Sequence, residues 1–210
     1  MLLALADHLD YPTLPALIAE FLHLQLHPTL AEAPPNLPIP NIGRISVFHS
    51  AVAMYYAPSD PSGIGGMHRE RIHATPSWRK GPSRLDTIFL EHDSSAPGMK
   101  GLLVARALLF FSFQFNGTTF PCALVHWFSV LGSECDEDTG MWIVEPDFYG
   151  SGQRVLAVVH MDTILRAAHL VPVYGEKKIP MPLHFSETLD VFRAYYVNKF
   201  ADHHANEIAF

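Results

Sequence analysis

The sequence predicts an α+β protein: a small, mainly antiparallel β-barrel with helices before it and a helix after it. Three observations carry that expectation. The apolar period changes from helical to two near residue 84. Six short strand patterns joined by turn signals then run to residue 175. A helical stripe returns over 184–204. The single helical turn expected before the last strand makes the SH3-like group a candidate for the barrel.

Residues 13–27 place Leu14, Leu17, Ile18, Phe21 and Leu24 on one helical face, with Thr13 as the N-cap residue. "APPNLPIPN" (33–41) carries four prolines, which exclude helix and inner strand, so 1–42 reads as a helix plus linker. Ile45, Phe48, Val52 and Tyr55 suggest a second helix over 44–57, broken by "PSDPSGIGG" (58–66). Residues 67–84 form a basic arm of local charge +4, leaving −11 for the remainder of a chain of net charge −7. The unit 43–83 is therefore a helix plus a basic arm, and 84–175 is the barrel. Its strands are 84–92, 102–115, 119–130, 141–146, 154–161 and 167–174. "NGT" (116–118) is a hairpin signal, because Asn and Gly both accept positive φ. "DTIL" (162–165) gives one helical turn. In 176–210, Phe185, Leu189, Phe192, Tyr196 and Phe200 suggest a helix capped by Ser186 and packed on the barrel.

Composition narrows the function. With 49% hydrophobic residues the chain can build a core. Its negative charge makes it a poor general polyanion binder, so any nucleic-acid contact needs a local patch. Two cysteines, Cys122 and Cys135, make no disulfide framework and read as reduced and intracellular. No apolar run is long enough to cross a membrane, and the opening ten residues lack a basic signal-peptide start.

The patch with the best chemistry is the basic arm. Arg69, Arg71, Trp78, Arg79, Lys80 and Arg84 combine cations with an aromatic side chain, the pairing used to hold phosphates and stack bases. The plainer use of Trp78 is as an anchor into the barrel. Trp127 and Trp142, on adjacent predicted strands, could form the aromatic pocket of a chromatin-type reader, although core packing across the strands is the plainer use. Glu134, Asp136, Glu137 and Asp138 fall on one loop without the spacing of a calcium loop, and read as a solvated hairpin tip. His160, Asp162 and His169 would be the acid–base groups of a hydrolase, but no nucleophile is positioned with them. His203 and Glu207 share a helical face yet leave a zinc site incomplete. No catalytic residue, metal, cofactor or small-molecule substrate is expected.

In order, "GRISVFHSAVAMYYAPSD" (43–60), "MHRERI" (67–72), "LFFSF" (109–113), "PCALVHWF" (121–128), "DEDTGMWIVEP" (136–146), "AAHLVPVYG" (167–175) and "LDVFRAYYVNKFADHH" (189–204) resemble the C-terminal region of fungal Plavaka transposases, which are CACTA-like DNA transposons. The resemblance implies a mobile-element origin and a nuclear setting. It carries no catalytic residue here, because the acidic core of such an enzyme would lie upstream. The expectation is a non-catalytic accessory module that binds DNA, or a protein such as the catalytic domain.

Overall fold

The computed structural model describes residues 2–58, 63–175, 178–179 and 183–210. In chain order the elements are α1 (Leu2–His8), α2 (Leu14–Leu26), β1 (Ile45–Phe48), β2 (Ser50–Tyr56), β3 (Met67–Thr75), β4 (Arg84–Leu85), β5 (Thr87–Glu91), β6 (Leu102–Phe115), β7 (Thr118–Leu131), β8 (Ile143–Pro146), β9 (Leu156–His160), β10 (Ile164–Ala167), β11 (Leu170–Pro172), α3 (Thr188–Val191), β12 (Tyr195–Val197) and α4 (His203–Ala209). The protein is α+β. Its strands pair antiparallel in a curled half-barrel sheet, ordered β10-β5-β6-β7-β8-β12-β11, with β1 added on β6 and β9 added on β7. A three-stranded layer, β2-β3-β4, lies against it.

The sheet is organised by the long β6–β7 hairpin. Asn116 and Gly117 sit at φ 49° and 80°, the left-handed pair that a two-residue turn requires. Phe115 and Thr118 face each other across it. Side chains then alternate. On β7, Cys122 and Leu124 join the core beneath α1 and α2, and Phe128 joins a core with Phe89, Val104, Val144 and Tyr195. Ala123 and Val125 point the other way, toward Ile72, Ala74, Ile88 and Ala105. Burial pushes the Cys122 thiol up to about 12, so it is inert at neutral pH. A register shift between Ala107 and Leu109 bends β6, so that its first part pairs with β5 and its last part with β1.

The helix at α2 lies where the spacing placed it, but Thr13 is itself helical and its side chain makes no capping bond. Residues 44–57 are not a helix. They form β1 and β2, one extended run that leaves β6 at His49 and pairs with β3. Residues 67–75 of the expected arm are strand β3. The C-terminal segment is not one helix either. It breaks into a 3-10 turn over Phe185–Glu187, the single turn α3, strand β12 and the terminal α4. Tyr195 explains the break, because its ring is fully buried and its hydroxyl donates to the Thr188 and Phe192 carbonyls, 2.9 and 3.1 Å away. Of the helical turn predicted at 162–165, the first half lies in a 3-10 turn over Met161–Thr163, whereas Ile164 and Leu165 open β10. Part of the predicted break at 58–66, and the start of the predicted C-terminal unit at 176, lie outside the described residues.

Candidate nucleic-acid interface

The basic residues occupy one hairpin and the turn that follows it. On β3 the side chains of Met67, Arg69 and Arg71 are exposed, and those of His68 and Glu70 turn inward. Arg71 pairs in register with Val52, and Arg69 with Met54. The Arg71 guanidinium also donates to Ser50 Oγ at 3.0 Å. The outer face of the hairpin is thus a row of cations beside the exposed apolar side chains Val52, Met54 and Tyr56.

The chain then turns at residues 76–83 before β4. Gly81 N–H donates to the Trp78 carbonyl at 2.8 Å, and Trp78 N–H donates to the Pro82 carbonyl at 2.9 Å. Between them Arg79 and Lys80 stand at φ 51° and 65°. Two successive non-glycine residues in the left-handed region are strained by roughly 1–2 kcal/mol each. Both side chains are exposed. Neither they nor Arg69 have an acidic partner among the described residues.

Trp78 is held at the base of this turn. The His73 ring meets it edge-on at 4.3 Å, and the guanidinium groups of Arg79 and Arg84 lie 5.4 and 5.0 Å from its ring centre. Asp86 fixes two of these neighbours. Its carboxylate accepts from His73 N–H at 2.8 Å and from Arg84 Nε at 2.8 Å, and it lies 3.0 Å from His73 Nδ1. Arg84 is therefore already paired, a supporting residue more than an open cation. The plain expectation, Trp78 as an anchor, and the functional one, Trp78 beside cations, meet in one residue that is half-buried.

The inner face of the hairpin is tied to the sheet by Arg166, only 3% exposed, on β10. Its guanidinium donates to both oxygens of Asp202, lies 3.7 Å from Glu70, sits 4.6 Å from the Tyr55 ring centre, and is 3.1 Å from His204 Nδ1. Glu70 also accepts the Ala167 N–H at 2.9 Å. Burial opposes the charge on Arg166, but the Asp202 and Glu70 carboxylates outweigh it and raise its pKa. Burial likewise opposes ionisation of Asp202, yet its bonds from Arg166 and the Ala205 N–H hold its pKa below the usual value. Burial, together with Arg166, pushes the His204 pKa down. None of these contacts has a signal in the sequence, since Arg166 and Asp202 are joined only by the folding of two separate segments.

The remaining predicted residues are placed apart. Trp127 packs with Ala105 and Val125, whereas Trp142 packs with Phe128 and Tyr195. Trp127 lies four residues before Leu131, which pairs with Ile143 at the end of β8 next to Trp142. The two rings serve different cores. Asp136 folds the acidic loop back on itself, accepting from Thr139 N–H at 2.9 Å and Thr139 Oγ1 at 2.7 Å, and these bonds lower its pKa. His160 Nδ1 accepts from the Asp162 N–H at 3.3 Å, while His169 Nδ1 lies 3.0 Å from Asn198. His203 and Glu207 are on α4. Among the described residues, no group of three or more His, Cys, Asp or Glu side chains is arranged to hold a metal ion. Among them, too, no helix is long and apolar enough to cross a membrane. Set against known proteins, the chain matches no family profile, no curated protein and no solved structure.

Proposed function

We propose that this chain is a non-catalytic binding module that contacts DNA through the outer face of the β2–β3 hairpin and the turn at residues 76–83. The observation that carries the reading is the turn itself. Arg79 and Lys80 occupy backbone positions that glycine or asparagine would take at lower cost, and strain of this kind persists where a side chain is used. With Arg69 and Arg71 they give four exposed cations on neighbouring segments of a chain whose net charge is −7. A local patch is what such a chain needs to attract a phosphate backbone. The resemblance to the C-terminal region of Plavaka transposases fits this reading: an accessory part of a transposon-derived protein, acting in the nucleus beside a separate catalytic domain. An SH3-like kinship for the curled sheet rests on its helical turn before β10.

The test is binding of a labelled duplex as salt is varied. The unaltered chain should lose affinity steeply with added salt. Replacing Arg69, Arg71, Arg79 and Lys80 together by Ala should weaken binding and flatten the dependence by about 0.9 in log–log slope for each phosphate no longer neutralised. Binding that ignores salt, or no binding at low salt, overturns the reading.

A further inference from the structure

Beside the turn lies a cavity of about 320 Å³, lined by Trp78, Arg84, Arg106, Phe185, Ser186 and Leu189, among others. Its size reaches the lower end of the range used for small ligands. Three of its features are unusual for a mere packing gap. Arg106 is only 5% exposed; its Nη1 donates to Asp190 at 2.8 Å, and its Nε–H, out of reach of solvent, has no hydrogen-bond partner among the described residues. Asp190 divides its charge, since Arg154 donates to the same oxygen at 2.7 Å. Phe185, three-quarters exposed at 75%, presents an aromatic ring to water at the cavity wall. Trp78 lines the same cavity, and the next two residues along the chain are the exposed Arg79 and Lys80.

Aromatic walls and a buried guanidinium beside solvent-facing cations suit a nucleotide with an exposed base. A base in a duplex offers no free face. A base in a single strand can leave its neighbours, rest on aromatic side chains and present a carbonyl or ring nitrogen to a donor, while the phosphates follow the cations outside. We infer that the cavity takes one unstacked base of single-stranded DNA, with Trp78 and Phe185 as its aromatic walls, the buried Arg106 guanidinium as part of its lining and Arg79 and Lys80 on the adjoining phosphates. This rests on the DNA-binding reading above and narrows it to single strands.

The experiment is fluorescence anisotropy of the full chain with a labelled single strand and with the duplex of the same sequence at low salt. Two variants probe the cavity without touching its cations: Leu189→Trp, which fills it, and Phe185→Ala, which removes an exposed ring. Thermal unfolding of each checks its fold. Should Leu189→Trp not fold, Phe185→Ala carries the test, because that side chain lies outside the core. The single strand is expected to bind at least about 10-fold more tightly than the duplex, and each variant should lower single-strand affinity by about 5- to 10-fold while leaving duplex affinity within about 2-fold. Equal affinity for both forms, or folded variants that bind single strands normally, overturns the cavity assignment. If the four-alanine variant then still loses duplex binding, the DNA-binding reading survives alone. Binding of neither form overturns both.

Discussion

Two regions of this protein use the same backbone turn in opposite ways. The β6–β7 hairpin closes on Asn116 and Gly117, the residues that tolerate left-handed backbone best, and its strands bury apolar side chains on both faces. The β3–β4 connection closes on Arg79 and Lys80, which do not, and the hairpin before it keeps Arg69 and Arg71 in water. The first region is held by apolar burial and local turn chemistry. The second adds to the buried Ile72 and Ala74 a set of polar and ionic contacts from elsewhere, Glu70 to Arg166 and Asp86 to His73 and Arg84. The difference teaches that the second region is anchored on its inner face so that its outer face can remain charged.

The sharpest way to break this comparison is to cut the anchor. Asp202→Ala leaves the Arg166 guanidinium buried, with Glu70 at 3.7 Å as its remaining ion pair among the described residues. Removing one partner of a buried pair is costly, about 3–5 kcal/mol. Asp202 is itself 35% exposed and Glu70 remains, so the expected loss is smaller, about 2 kcal/mol. Denaturant midpoints at unchanged slope would measure it. A loss below about 0.5 kcal/mol, the level of an ordinary surface change, would mean that the hairpin does not depend on this network.

Exchanging the turn chemistry tests the other side. Asn116→Arg with Gly117→Lys places the strained pair in the β6–β7 hairpin. The expected cost is about 1–2 kcal/mol, most of it from position 117. The same measurement applies, and a neutral exchange would mean that the turn contributes little to this hairpin.

The anchor also predicts a dependence on pH. Burial and the Arg166 charge hold the His204 pKa below its usual 6.5, against the opposing pull of Asp202 and Glu207, and His68 adds to the lowering. His126 is lowered in the same sense, by burial first. The unfolded chain therefore takes up protons that the folded one resists. Stability from these groups is complete above about pH 6.5 and falls as the pH drops through the lower folded values. Urea midpoints at pH 7.5 and 5.5 should differ in that direction, and His204→Gln should reduce the difference without removing it, since His126 still titrates. A midpoint that rises on acidification would contradict the sign.

These contrasts also mark what the sequence makes legible. The β6–β7 hairpin is legible because alternation and Asn-Gly act locally and agree. Residues 44–57 mislead because Ile45, Phe48, Val52 and Tyr55 satisfy a helical spacing, while the small residues Ser46, Ser50, Ala51 and Ala53 blur the two-residue alternation that β1 and β2 obey. The C-terminal stripe misleads for a related reason. Phe185 and Phe200 belong to the apolar stripe but not to the core, and the buried Tyr195 lies off it. For the candidate interface, composition locates Arg69, Arg71, Trp78, Arg79 and Lys80 as a group. It cannot reveal the Arg166 network or the burial of Arg106 beside Asp190, which arise from contacts between distant segments. It also separates poorly between Arg84, already paired with Asp86, and the exposed cations around it.

The smallest expected effect is the most discriminating. Lys80→Gly relieves left-handed strain of roughly 1–2 kcal/mol, but the added glycine frees the unfolded chain by about 0.5–1 kcal/mol. The net should be a gain near 0.5 kcal/mol, read as a slight rise in the denaturant midpoint. If the turn exists only to connect β3 to β4, that gain comes without loss. If Lys80 is kept in strain for its charge, the same substitution weakens DNA binding while it stabilises the fold. Opposite signs in the two measurements are the outcome expected of a residue retained for binding. A variant that is more stable and binds DNA normally would return Arg79–Lys80 to the status of an ordinary, poorly chosen turn and move the interface to Arg69 and Arg71 on the hairpin.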